Sequence, residues 1–337
     1  MILPIVSVVL GLALLVWSAD RFVDGAVGVA RYCGMSTLLI GMVVVGFGTS
    51  APEMVVSAIS AMDNAPELAL GNAYGSNIAN IALILGVTAV ISPVIVIRKA
   101  LKRDLPVLIA VTAMSVFLVS DGSISRLDGV ILLLVFAGVM GFNIVNEMRQ
   151  KAVAGSAVAD DAEKKQDGES LSLGKSVLWL VLGLALLVGS SRALVWGAVE
   201  IARALGVSDL LIGLTIVAVG TSLPELASSI AAARKGENDL AFGNIIGSNL
   251  FNTLLVVGIA STIAPMHTFE PSVINRDMPV MTVLTVLLLL FGLPVRKKRL
   301  DAYGHRIGRI NRLEGATFLA IYIGYIGVLI AQATGRI

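Results

Sequence analysis

Long apolar runs separated by short charged or turn-rich stretches fill almost the entire chain. A helix that crosses a bilayer needs about 20 mostly apolar residues. The runs therefore predict ten transmembrane helices, at 2–18, 36–61, 67–92, 105–120, 127–146, 175–191, 208–233, 239–264, 278–294 and 313–332. Two of them carry an internal proline, Pro52 and Pro224, and are predicted to be broken near the midplane. The pattern lapses between the fifth and sixth runs. There Asp160, Asp161, Glu163, Lys164, Lys165, Asp167 and Glu169 stand among Ala, Gly and Ser, with too little apolar material to fold. The chain divides into a five-helix unit at 1–146, a linker at 147–174 and a second five-helix unit at 175–337.

Composition strengthens the membrane reading. Length alone, 337 residues, would fit two soluble domains, but 56% of residues are hydrophobic and 14% charged, against about 25% charged in a soluble domain. The expected class is an all-α polytopic membrane protein whose first partner is the lipid bilayer. A net charge of +2 gives no support to a nucleic-acid partner, and no obligate protein partner is evident. Cys33 is the only cysteine, which excludes an intrachain disulfide and a cysteine metal cluster; it reads as a small buried hydrophobe. The apolar start, Met1 to Trp17, has no basic residues ahead of it and reads as the first span, not as a cleaved signal peptide.

Charge placement sets the orientation. Of the 25 Lys and Arg residues, 20 fall in loops on the side of the central linker, and basic loops favour the cytoplasm. Both termini are thus expected outside a cell membrane and the linker inside. An odd number of helices per unit makes the second unit enter from the opposite side, so the two units are expected to be inverted.

An internal repeat supports this division. Residues 41–93 align without a gap on 213–265 at an offset of 172, with about 20 of 53 positions identical. The first copy reads Gly48-Thr49-Ser50-Ala51-Pro52-Glu53 and Gly71-Asn72-Ala73-Tyr74-Gly75-Ser76-Asn77-Ile78-Ala79-Asn80. The second reads Gly220-Thr221-Ser222-Leu223-Pro224-Glu225 and Gly243-Asn244-Ile245-Ile246-Gly247-Ser248-Asn249-Leu250-Phe251-Asn252. Weaker echoes pair Arg103-Asp104 with Arg276-Asp277, and Arg126-Leu127-Asp128-Gly129 with Arg312-Leu313-Glu314-Gly315. Most identities fall on Gly, Thr, Ser, Pro, Glu and Asn, which membrane composition does not explain.

Glu53 and Glu225 lie near the middle of their spans, where a carboxylate is costly and usually faces a cavity, a partner or a substrate path. No Lys or Arg occurs in those spans or in the spans that follow, so a transported cation fits the vacancy. Each proline removes a backbone donor, and the carbonyls near Gly46 to Gly48 and near Ala218 to Gly220 are expected to lose helical partners and face a cavity. If the helix resumes after the break, Thr49 and Glu53 share a helix face, as do Thr221 and Glu225, while Asn72, Ser76 and Asn80 form a stripe repeated by Asn244, Ser248 and Asn252. All of these donors are oxygen, which suits a hard cation such as Ca2+ better than zinc or copper. Two glutamates are balanced by one Ca2+ or two monovalent ions, so one pocket can hold either but not full complements of both. That exclusion is the physical basis of antiport.

These paired segments resemble the two alpha-repeats of the cation/calcium antiporter superfamily, specifically prokaryotic sodium/calcium exchangers of the YrbG-like kind. The motifs cover about a third of the chain, and the ten-helix layout agrees over nearly all of it. The resemblance implies exchange of three Na+ for one Ca2+, with no cofactor, and sites among the second, third, seventh and eighth helices. It places Ca2+ on Glu53 and Glu225 with the carbonyls of Thr49 and Thr221. Sodium is placed on Thr49, Ser76 and Glu53 on one side and on Thr221, Ser248 and Glu225 on the other, with Asn80 and Asn252 at the centre. Ser50, Ser222, Gly46 and Ala218 complete the candidate set. It also implies that the first and sixth helices slide past the others. Some family members have Asp where Asn252 stands, including potassium-dependent ones; two Asn leave two formal charges and argue against potassium.

Blander readings compete for individual residues. Gly46, Gly48, Gly71, Gly75 and their partners serve equally well for close helix packing. Asn77 and Asn249 read as interhelical hydrogen-bond glue, Asp104 and Asp277 as structural groups or helix caps, and the cluster Arg296 to Arg299 as a topological signal. The main rival function is a divalent cation/proton antiporter, since two protons also neutralise two carboxylates. A passive channel fits deep carboxylate traps poorly. An enzyme is disfavoured because no His lies in any span, His267 and His305 both falling outside them, and so no base stands near Ser50 or Ser222.

Overall fold

Backbone polar groups in a bilayer must be satisfied within the protein, which turns long apolar runs into helices. The structure, a computed structural model, describes residues 2–63, 65–154, 172–206, 216, 218–294 and 308–334. In chain order the helices are α1 (Ile2–Cys33), α2 (Thr37–Thr49), α3 (Ala51–Met62), α4 (Pro66–Ile91), α5 (Leu105–Val119), α6 (Arg126–Ala154) and α7 (Leu173–Ala204). There follow α8 (Ala218–Thr221), α9 (Leu223–Arg234), α10 (Asn238–Ile263), α11 (Val273–Gly292) and α12 (Arg312–Ala333). By length and composition, 7 described helices can cross a membrane, or 8 if α2 and α3, bent by 47°, count as one span. The molecule is a helical, polytopic membrane protein. The first part of the expected 208–233 span, the middle of the linker and the Arg296 to Arg299 cluster lie outside the described residues.

Two helices overrun their expected limits. α1 and α7 are 32 residues each, about 48 Å at 1.5 Å per residue, against a hydrocarbon core of about 30 Å. The charges of α1 do not end it because they find partners: Lys235 Nζ donates to Asp24 Oδ1 at 2.7 Å and to the Asp20 carbonyl at 2.6 Å. Arg21 lies over the rings of Trp17 and Trp179, 5.8 and 5.5 Å from their centroids. Both helices stop before a glycine in the left-handed region, Gly34 (φ 60) and Gly206 (φ 80). Gly11 faces Leu194, Gly25 faces Leu180 and Gly28 faces Ser176, so the pair runs antiparallel with small residues at the contact. Cys33, at the end of α1, is exposed and not the buried residue expected. It falls just where α1 leaves the packed pair.

The most polar helices are the innermost. In its most apolar stretch α10 is 94% buried and α4 72%, against 22% in α1, α6, α7 and α12. Apolar outer helices thus shield the Gly-Asn-Ser stripes from lipid. Close approach depends on glycine: a Cβ at Gly247 would stand 2.8 Å from Met42 Cα in α2, with the Met42 carbonyl closer still. α4 rests on α12 through Gly86 and Leu319, and α10 rests on α6 through Gly258 and Leu133. Each of these two helices is therefore covered by a helix from the other half of the chain, and the two halves of the sequence interleave.

Two features escaped the sequence reading. Strand β1 (Val94–Val96) pairs antiparallel with β2 (Gly308–Ile310), Val94 opposite Ile310, and a lone bridge joins Ile124 to Met266. The offset of 172 carries Val94 to Met266, and that of 186 relating Arg126 to Arg312 carries Ile124 to Ile310, so strand pair and bridge are counterparts. Asp104 and Asp277, read as possible caps, have helical dihedrals and cap nothing. Each instead accepts from the arginine before it, at 2.7 Å in both cases, and Asp277 also accepts from Tyr325 Oη at 2.9 Å.

Gly247→Ala should lower the stability of detergent-solubilised protein by about 1–3 kcal/mol, the usual cost of overpacking. Gly138→Ala, in α6, meets no described atom within 4 Å and should leave the melting temperature unchanged or slightly raised.

Candidate cation site

Both repeat motifs fold into the same local device. Ser50 (φ −85, ψ 1) and Ser222 (φ −93, ψ 8) interrupt the helix, separating α2 from α3 and α8 from α9. Pro52 and Pro224 fall in the first turn of the new helix, where a missing N–H costs nothing. Glu53 and Glu225 come next, at helix N-termini, where the helix dipole favours negative charge. The freed carbonyls are less available than expected. Those of Gly46 and Gly48 both accept from the Ser50 N–H, and that of Gly220 accepts from Ser191 Oγ at 3.0 Å. The hydroxyl of a neighbouring helix and the bent backbone supply what the proline took away.

The site is assembled across the two copies. Ser50 Oγ donates to Glu225 Oε1 at 3.2 Å, and Thr49 Oγ1 lies 3.0 Å from the Val45 carbonyl and 3.3 Å from Asn244 Oδ1. Asn244 Nδ2 donates to Ser228 and Ser229 at 3.2 and 3.0 Å, and Asn72 Nδ2 donates to Ser57 at 3.0 Å and to the Glu53 carbonyl at 3.4 Å. A Cβ at Gly46 would stand 3.2 Å from the Ser248 nitrogen, so α2 lies directly against α10 there. Thr49, assigned above to the first copy's sodium, and Ser50, a member of the candidate set, thus touch residues of the second copy. Thr221 is half-buried, and Ala218 opens α8.

Burial and charge define the problem. Glu53 and Glu225 are 3% and 2% exposed, and the Ser50 hydroxyl that bonds Glu225 stands three residues before Glu53 at the same helix break. Among the described residues no Lys or Arg forms an ion pair with either. Glu53 Oε2, Glu225 Oε2, Ser222 Oγ, Ser248 Oγ and Asn252 Oδ1 are buried without a hydrogen-bond partner, and each such group costs about 1–3 kcal/mol. Ser76 and Asn80 are buried as well. Asn80 and Asn252 occupy the second position of π-helical stretches, Ala79–Leu85 and Phe251–Val256. Widened turns of this kind often mark functional positions, and nothing in the sequence pattern announced them.

The asparagine assignments divide. Asn77 Nδ2 donates to Thr253 Oγ1 at 2.7 Å and joins α4 to α10, as glue should. Asn249 Nδ2 instead donates to the Ile245 carbonyl of its own helix at 2.7 Å, with no interhelical hydrogen bond among the described residues. A cavity of about 360 Å³ reaches the second break between α7, Pro52, Thr221 and Pro224. Its α7 wall carries Ser191, Arg192 and Glu200, none of which the sequence reading selected. The missed signal was a polar stripe at helical spacing within an apolar run.

An oxygen-rich, acidic site whose carboxylates have no ion-pair partner among the described residues, inside a bundle of membrane helices, belongs to the class of cation carriers. Comparison narrows the class: the sodium/calcium exchanger protein family matches residues 3–145 and 175–331, and the chain belongs to that family. It is similar to CaxA of Alkalimonas amylolytica, 44% identical over 96% of this chain and 98% of that protein. It is likewise similar to the inner membrane protein YrbG of Escherichia coli (strain K12), 40% identical over 86% of this chain and 89% of that protein. Among solved structures it is similar to the sodium-calcium exchanger NCX_Mj soaked with Na+ and Sr2+, with a TM-score of 0.78, 34% identity and 98% of both chains covered.

Structural and liganding asparagines should separate in a melting experiment. Asn77→Ala is expected to cost about 1–2 kcal/mol equally with and without added Ca2+. Asn252→Ala is expected to shrink the rise in melting temperature that Ca2+ produces.

Proposed function

We propose that the protein is a secondary active antiporter that exchanges Na+ for Ca2+, three for one, by alternating access. The observation that carries this reading is the pair of buried carboxylates, Glu53 and Glu225, one from each repeat, with no described protein cation beside them. One Ca2+ neutralises both, and sodium ions neutralise them in its place. Ca2+ is assigned to the two glutamates with the carbonyls of Thr49 and Thr221. Sodium is assigned to the surrounding Ser76, Ser248 and threonine oxygens, and Asn80 and Asn252 line the centre. Ser50 and Ser222 hold the glutamates or reach the ion, and the backbone at Gly46 and Ala218 closes the ends of the pocket.

The transport cycle needs both faces of the membrane. In this reading ten spans form two inverted five-helix units, with termini outside and the linker in the cytoplasm. The antiparallel α1 and α7, which occupy equivalent places in the two units, support inversion. Their sliding against the interior helices is the assigned access step. The protein named NCX_Mj, described as a sodium-calcium exchanger, supports the choice of ions.

A divalent cation/proton antiporter is the second reading, because protons also neutralise Glu53 and Glu225. Inside-out vesicles separate the two. Sodium-loaded vesicles should take up Ca2+ faster when the lumen is held positive, since one net charge leaves per cycle. Uptake driven by a pH gradient without sodium would establish the proton reading instead. Glu225→Gln should reduce sodium-driven uptake to background while the protein still folds, and normal exchange in that variant would refute the site.

A further inference from the structure

The cavity beside the second break has an ordered charge arrangement that the ion site itself does not explain. Its α7 wall is one helical stripe, in which Arg192, Trp196, Glu200 and Arg203 recur at intervals of three to four, with Ser191 beside Arg192. Ser191 Oγ holds the Gly220 carbonyl at 3.0 Å and so fixes this end of the stripe on the floor of the cavity. Arg192 follows directly. Glu200 and Arg203 lie eight and eleven residues beyond Arg192, about 12–16 Å along the axis. Those two form an ion pair at 3.3 Å with side chains 39% and 54% exposed, which places them at the mouth. Arg192 is exposed to the cavity and makes no ion pair or hydrogen bond among the described residues. From the mouth inward the cavity therefore presents a paired acid and base, then a guanidinium without a described partner, and ends on Pro52, Thr221 and Pro224, the residues that adjoin Glu53 and Glu225 in the chain.

We propose that Arg192 is a valence-sensing residue of the cavity, which weakens the approach of divalent cations more than that of monovalent ones. The inference rests on the reading of Glu53 and Glu225 as the ion site. Coulomb energy is proportional to the charge of the passing ion, so a fixed positive group penalises Ca2+ twice as much as Na+. Low-dielectric walls focus that field along a narrow path. On the face where this cavity opens, the residue hinders the entry of each Ca2+ more than that of each Na+. It touches no ion and acts through the field alone.

The test is transport by the full-length protein in proteoliposomes, with Na+ or Ca2+ varied on the face bearing the cavity. Arg192→Gln should lower the half-saturating Na+ concentration by some factor and that of Ca2+ by about the square of it, for instance about threefold and about ninefold. Arg192→Lys should restore both values, and the difference should fade in 1 M choline chloride, where the screening length is about 3 Å. Glu200→Gln, which adds a net positive charge to the same wall, should move both values the other way with the same doubled exponent; it provides the reading if Arg192→Gln does not fold. Equal factors for the two ions, or no shift with exchange intact, overturn the role of Arg192. Absence of sodium-driven exchange in the unaltered protein overturns the functional reading and not this one specifically.

Discussion

Two carboxylates buried beside one another without a basic partner form the constraint around which the molecule is arranged. The effective penalty for a buried ion is several kcal/mol even after relaxation, and here two carboxylates are buried. A protein selected for stability alone would neutralise them with Lys or Arg, or replace them. Retaining them keeps the charge open to an external ion. Partial support comes from helix N-termini and from the Ser50 hydroxyl, which orient the oxygens without cancelling their charge.

The architecture follows from keeping such a site away from lipid and still reachable. α4 and α10, which carry the polar stripes, are the most enclosed spans, and each is covered by a helix from the other half of the chain. Interleaving brings residues of both copies together: Ser50 reaches Glu225 and Thr49 reaches Asn244. The antiparallel α1–α7 pair lies outside this arrangement, and Lys235 ties α1 to the end of α9. That contact is the natural place for any relative movement to be resisted.

Much of this was legible in the residues because the bilayer allows few alternatives. Apolar runs became helices, and a proline before a glutamate became a break, at Ser50 and again at Ser222. The offset of 172 between Glu53 and Glu225 announced a paired site before any contact was known. What stayed hidden depends on contacts distant in sequence. The length of α1 depends on Lys235, more than 200 residues away, and the fate of the Gly220 carbonyl depends on Ser191. The π-helical stretches at Asn80 and Asn252 leave no mark in hydropathy. Cys33 was misjudged because a small thiol usually packs inside, whereas here it falls at a helix end.

The most direct measurement is the melting temperature of purified protein, unaltered and as the double variant Glu53→Gln with Glu225→Gln, in ion-free buffer and with Ca2+. A ligand present at 100 times its dissociation constant stabilises the folded state by about 2.7 kcal/mol. The unaltered protein should gain a rise of that order, while the double variant should melt higher than the unaltered protein without ions and gain nothing from Ca2+. If the double variant kept the full Ca2+-dependent rise, the buried carboxylates would not be what the cation balances.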